Sequence, residues 1–227
     1  MKFVYIFIKK MSAKLVSYTK SVIDDLDIQE LVAYCARVSN PANQNNYETS
    51  ERLIKYLIKH KHWSPFEMAS ICIEITTTRD IAHQILRHIS FSFQEFSQRY
   101  ADPRQIMNVS LREARLQDSK NRQNSINIDD AVLQREWAQK QQDVWKVCNG
   151  AYAWAIENCL AKEVARSVLS EGLTESKLYM HGTVRSWIHY IETRIDPSTQ
   201  KEHRIIAERC ADEIAKCFPS MFSFFKK

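Results

Sequence analysis

Residues 87–100 read RHISFSFQEFSQRY. Arg87, Arg99, His88, Glu95, Gln94, Gln98, Ser90, Ser92 and Ser97 all fall within these 14 positions. Guanidinium forks hold phosphate through two parallel hydrogen bonds, and amides and hydroxyls read the edge of a base. The segment therefore suits an anionic, nucleotide-like ligand. Phe91, Phe93 and Phe96 alternate loosely with the polar residues, so one side can pack while the other stays open. The same spacing also fits a helix end followed by an amphipathic strand whose polar face is simply wet.

A second cluster, TVRSWIHYIETR, spans 183–194. Arg185 and His189 stand four apart and share a helix face, while Trp187, Ile191 and Arg194 share another. Taken alone, it reads as an arginine-bearing surface helix with Trp187 and Ile191 in the core. His60 and His62 have no acidic residue at a matching short spacing, so no metal is expected. Lys162 and Arg166 beside Glu163 form an ordinary i, i+4 surface pattern. The chain has only three glycines, Gly150, Gly172 and Gly182, and neither G-x-G-x-x-G nor a P-loop. Any nucleotide must be held by side chains and helix ends.

These residues need elements to position them. Apolar residues at helical spacing predict helices over 27–38 and 49–60. A turn at 63–66 leads into a strand over 68–78, with Ile71, Ile73 and Ile75 on one face. The next helix, 79–89, carries Ile81, Ile85 and Ile89 on one stripe and Gln84, Arg87 and His88 on another. Residues 112–130 are poor in large apolar side chains and predict a mobile loop. Asp129 or Asp130 then caps a long helix to about 160, with Trp137, Val144, Trp145, Cys148, Tyr152 and Ile156 as its apolar face. A short helix over 162–169, a strand over 177–184, and helices over 185–193 and 198–217 follow, the last with Ser198 or Thr199 as its cap. The pattern is α+β and helix-rich, in a single domain over 1–227.

Composition agrees with an ordinary globular chain of 227 residues, 44% hydrophobic and 26% charged. The net charge of +5 is mild and acidic residues interleave with basic ones throughout, which argues against a nucleic-acid-binding protein. Six cysteines without a C-x-x-C read as reduced, mostly buried side chains in a cytoplasmic protein. The apolar run over 2–10 is too short to span a membrane and reads as an edge strand or a start-site extension before Met11.

Taken together, these segments resemble the flavin-dependent thymidylate synthases. The family pattern is Arg-His-Arg, seven residues, then Ser. Here it stands as Arg87-His88-Ile89 and Ser97, with 94–100 continuing the likeness. CARVS at 35–39, SPFE at 64–67, EVAR at 163–166, RSWIHY at 185–190 and QKE at 200–202 fall in the same order. The departures are Ile89 for the third arginine, Gln94 for a frequent asparagine and Thr183 for another asparagine.

The resemblance implies a helix-rich fold with a small, mostly antiparallel sheet. It implies methylation of dUMP to dTMP with methylenetetrahydrofolate as carbon donor, FAD carrying hydride from NADPH, and no cysteine nucleophile. Arg194 would favour ionisation of uracil N3. Gln84, Arg87, Glu95, Ser97, Arg99 and Arg166 would also contact dUMP. Ser64, Arg87, His88, Glu95, Thr183, Arg185 and His189 would hold FAD, and His62 and Tyr100 would lie on the folate side. A homotetramer with active sites between subunits is implied too. Ile89 leaves open a catalytically impaired relative that still binds flavin or nucleotide.

Overall fold

The computed structural model describes residues 11–105 and 111–221, so the strand expected over 2–10 lies outside the described residues. The strands are β1 (Ser12–Tyr18), β2 (Ser70–Thr78), β3 (Ser92–Glu95), β4 (Arg115–Gln117), β5 (Ser125–Asn127) and β6 (Glu175–Thr183). The helices are α1 (Ile28–Ala36), α2 (Ser50–Lys59), α3 (Arg79–Ile85), α4 (Ala131–Glu157), the short α5 (Lys162–Ala165), α6 (Val184–Arg194) and α7 (Lys201–Ile214). This is the expected α+β arrangement.

An antiparallel sheet of order β1-β2-β6-β3 forms the centre. Alternation decides its two faces. Ile71, Ile73 and Ile75 of β2 pair with Gly182, Met180 and Leu178 of β6, and all six are buried. Cys72 and Glu74 point the other way. Trp187 of α6 lies fully buried beneath the sheet, and its indole N–H donates to the Ile71 carbonyl at 3.0 Å. Between Leu15 and Ser17 the β1 register slips, and the Leu15 N–H is taken by Glu213 of α7 at 3.0 Å.

Helix ends follow the sequence closely where a side chain caps them. Asp27 forms a capping box with Glu30, and the Asp130 carboxylate accepts from the N–H groups of Val132 and Leu133. The last helix starts later than expected. Ser198 turns its N–H and hydroxyl to Asp196, so it closes a turn instead of capping, and α7 begins at Lys201.

Other expectations are corrected. Helix α3 ends at Ile85, so the stripe of Ile81 and Ile85 stops there and Ile89 is 98% exposed. The 112–130 segment, expected as a loop, contains the β4–β5 ribbon. The approach to it is pinned to α4 by two glutamines seven apart on that helix. The Gln141 amide both accepts from the Arg112 N–H and donates to its carbonyl, at 2.7 Å each. Gln134 does the same to Ala114, at 2.8 and 2.9 Å. Extended chain presents alternate residues to one side, so positions 112 and 114 meet one face of the helix. Of the expected apolar face of α4, only Tyr152 is fully buried, in a small separate cluster with Ala155 and Ala165; Trp137 and Val144 are exposed. The cysteines are less buried than expected: all six are unpaired, Cys210 is buried, Cys159 is exposed and the rest lie between.

Gly182 is required by close approach. A Cβ there would lie 2.4 and 2.6 Å from the Phe91 ring carbons. Phe91 in turn packs edge-on against Trp187 and Tyr190, directly after the 87–90 turn. We predict that Gly182→Ala costs about 1–3 kcal/mol in thermal or urea unfolding, and that Phe91→Leu in the same chain recovers part of it. An unchanged melting temperature for Gly182→Ala contradicts this packing.

Candidate active site

Residues 87–100 leave α3, turn, and join the sheet as β3. Phe96 extends that pairing with an N–H to the Lys177 carbonyl at 2.8 Å. A turn follows in which the Ser97 hydroxyl accepts from the Arg99 N–H at 3.3 Å. This turn docks on α5: Arg99 pairs with Glu163 at 3.1 Å, and Lys162 donates to the Tyr100 carbonyl at 3.0 Å. Arg166 follows directly at the end of α5. Arg87 is exposed, and no side-chain ion pair or hydrogen bond is seen for it or for Arg166 among the described residues.

The centre of the site joins segments far apart in the chain. Arg194, at the end of α6, donates its Nε–H to His88 Nε2 at 3.0 Å. His88 stands edge-on to Tyr190, with ring centres 4.9 Å apart, and Tyr190 is almost wholly buried. Burial, then the Arg194 charge, pushes the His88 pKa down to about 4, so the ring is neutral and can accept. Behind it His203 is fully buried, its pKa lowered to about 3 by burial, then by Arg194 and His88. Gln84 reaches this group from α3, 3.3 Å from His203 and 2.8 Å from Gln200.

Glu95 is held from two sides. The Ser176 hydroxyl of β6 donates to it at 2.7 Å, and Arg79 lies 3.9 Å away. Arg79 also faces Glu171 at 3.9 Å, and Glu171 pairs with His83 at 3.1 Å.

Of the residues expected to hold flavin, Thr183, Arg185 and His189 stand at the other end of β6 and along α6, whereas Glu95 stays beside Ser176. Thr183 N-caps α6, accepting from the Ser186 N–H at 3.2 Å, a role the asparagine it replaces would also fill. The Ser186 hydroxyl donates to the Ser90 carbonyl at 3.2 Å, tying the 87–90 turn to α6. Arg185 pairs with Glu67 of the turn that begins at Ser64, and His189 packs edge-on to Trp63 at 4.5 Å. His62 sits just before this turn with its ring near Tyr56, whereas Tyr100 is 81% exposed beyond Ser97; no contact joins the two.

Sequence reasoning gave no role to His203, Tyr190, Gln200, Glu202, Ser176 or Arg79. One signal was available: His203 shares a helical stripe with Ile206 and Cys210, and a histidine on a buried stripe asks for a partner. Burial also pushes up the thiols of Cys35, Cys72, Cys210 and Cys217, so none of these four is an activated nucleophile. Among the described residues no cluster of three or more His, Cys, Asp or Glu side chains could hold a metal, and no helix is long and apolar enough to cross a membrane.

The fold and site define a class: an α+β protein with cationic side chains gathered between a sheet edge and helix ends, and no glycine-rich loop. Solved structures share the fold. A UMP/dUMP methylase PolB from Streptomyces cacaoi, bound with 5-Br UMP, aligns with a TM-score of 0.77 at 23% identity, over 95% of this chain and 93% of that one. A probable flavin-dependent thymidylate synthase of Paramecium bursaria Chlorella virus 1 is 48% identical over 213 residues, 93% of this chain and 97% of the relative. A flavin-dependent thymidylate synthase of Synechocystis is 46% identical over 215 residues, with the same coverages. The profile of the family described as thymidylate synthase complementing protein matches residues 14–220, and the chain belongs to that family.

The two lowered histidine values fix a pH dependence. Both rings are neutral when folded, whereas in the unfolded chain they protonate near the ordinary 6.5. Their contribution to stability is therefore whole above that pH and is lost as pH falls toward about 4 for His88 and about 3 for His203. Urea midpoints should drop as pH is lowered below the ordinary histidine range, and His203→Gln should show a shallower drop. Equal slopes for the two proteins contradict the buried neutral His203.

Proposed function

We infer that this protein catalyses the reductive methylation of dUMP to dTMP, taking the carbon from methylenetetrahydrofolate and the reducing equivalents from NADPH by way of FAD. The observation that carries the reading is the Arg194–His88 pair beside the unpaired Arg87, in a chain 46–48% identical to named flavin-dependent thymidylate synthases. Arg194 has its Nε committed to His88, which leaves its two Nη groups for a ligand. Two such donors meet a uracil carbonyl and N3, and stabilise the negative charge that develops when N3 loses its proton. Neutral His88 keeps the guanidinium oriented without adding a second positive charge.

Arg87, Arg99 and Arg166 supply cations for the nucleotide phosphate, and Ser97, Gln84 and Glu95 hold the sugar and base. Ser64, Arg87, His88, Glu95, Thr183, Arg185 and His189 form the flavin side. Their donor set fits a dinucleotide: Arg87 is exposed and unpaired for a phosphate, and hydroxyls lie at the start of a 3-10 turn and of α6. FAD, when bound, supplies the hydride. His62 and Tyr100 are assigned to the folate side. The raised thiol pKa values fit activation of uracil by charge instead of covalent attack by cysteine.

The protein acts as a homotetramer in the cytoplasm, with sites completed between subunits. In support, α4 exposes Val132, Trp137, Val144, Val147 and Trp154, a large apolar surface for a free helix. Arg87 and Arg99 are likewise exposed, as side chains that await a neighbour's wall would be.

Two outcomes test this reading. Arg194→Ala should lower the turnover of dUMP by roughly 100- to 1000-fold, read as tritium release from 5-tritiated dUMP, while the purified protein stays yellow. A loss below about tenfold, set against that range, removes Arg194 from the chemistry. Ile89, being outside every internal contact, is a lost flavin contact and not a broken active site. Wild type therefore turns over, and Ile89→Arg should tighten FAD binding several-fold in a fluorescence titration. Inert wild-type protein revived by Ile89→Arg would identify the chain as an impaired relative.

A further inference from the structure

A carboxylate buried behind the site sets the direction of every hydrogen bond that reaches Gln84. Glu202 is 2% exposed and uses both oxygens: Oε1 accepts from Arg115 at 2.6 Å, and Oε2 accepts from the Gln200 amide at 3.0 Å. A carboxylate only accepts, so the Gln200 group facing it is the NH2. The Gln200 oxygen is then turned to Gln84, which must present its own NH2 across 2.8 Å. The Gln84 oxygen is left facing His203 Nδ1 at 3.3 Å, and that nitrogen must carry the ring proton. His203 Nε2 then accepts from the Tyr190 hydroxyl at 3.2 Å. Burial holds that phenol protonated, as this last step needs.

The chain of donors runs one way, from Tyr190 through His203, Gln84 and Gln200 to Glu202, and Arg115 closes it. A neutral amide network could flip; one ended by an ion pair cannot flip without turning the Gln200 oxygen onto the buried carboxylate, an acceptor facing an acceptor. Glu202 sits too deep to touch a ligand and acts through two side chains.

We propose that Glu202 is a positioning residue that fixes Gln84 as a hydrogen-bond donor toward the pyrimidine, so that the site accepts a carbonyl-bearing uracil ring and rejects the amino-bearing cytosine ring. The inference rests on the assignment of Gln84 to the nucleotide. The Gln84 oxygen is occupied by His203, whereas its amide nitrogen has a second N–H beyond the one given to Gln200. A uracil carbonyl accepts that N–H, and a cytosine amino group opposes it. Sites built to satisfy one polar group discriminate strongly against its opposite.

The test compares dUMP and dCMP as ligands of the FAD-loaded enzyme, with dCMP read as a competitive inhibitor. Glu202→Gln keeps the size but can donate as well as accept, so both amides can turn. We expect the preference for dUMP over dCMP to narrow at least about tenfold in Glu202→Gln, on the scale set by one polar mismatch. An unchanged preference overturns the proposal. Gln84→Ala serves as the control. If it leaves the KM for dUMP unaltered, the assignment of Gln84 to the nucleotide fails; if it raises KM while Glu202→Gln keeps full discrimination, the directional role fails. Should Glu202→Gln not fold, the 15N spectrum of wild-type His203 decides. A proton on Nδ1 and a bare Nε2 are required, and a proton on Nε2 overturns the proposal.

Discussion

Arg194 can give its Nε–H to His88 only while His88 Nε2 carries no proton, and the remainder of the site is arranged around that condition. Neutrality comes from place. Tyr190 covers one side of the ring, His203 stands behind it, and the Arg194 charge penalises a second positive charge nearby. The contact joins positions 106 apart in the chain, so it also fixes how α6 sits against the 87–90 turn. Thr183, Ser186 and Ser90 repeat the tie with neutral groups, and Gly182 lets Phe91 approach closely enough for all of them to meet.

Charge around this centre is arranged unevenly. Arg99, Arg185 and Arg79 each face a carboxylate that steers them, whereas the side chains of Arg87 and Arg166 have no such partner among the described residues.

Much of this was legible in the sequence, for physical reasons that differ by element. β2 was readable because a strand buried on one face must alternate, and Ile71, Ile73 and Ile75 do. Asp27 and Asp130 were readable because carboxylates cap locally. Ile89 was misplaced because periodicity continues on paper past the point where the backbone leaves the helix. The β4–β5 ribbon was missed because the segment leading into it is held by Gln134 and Gln141, polar residues of the following helix that carry no strand signal. Within the site, the arginines announced themselves by type. The residues behind them, such as Ser176 on Glu95, His203 on Gln84 and Glu202 on Gln200, are common types made special only by their contacts.

The titration of His88, followed by the chemical shifts of its ring nitrogens, tests this account most directly. The ring should remain neutral through the ordinary histidine range, with its proton on Nδ1, and titrate only near pH 4. Titration near the ordinary 6.5, or a proton on Nε2, would mean that Arg194 is not held by His88 and would contradict the account at its centre.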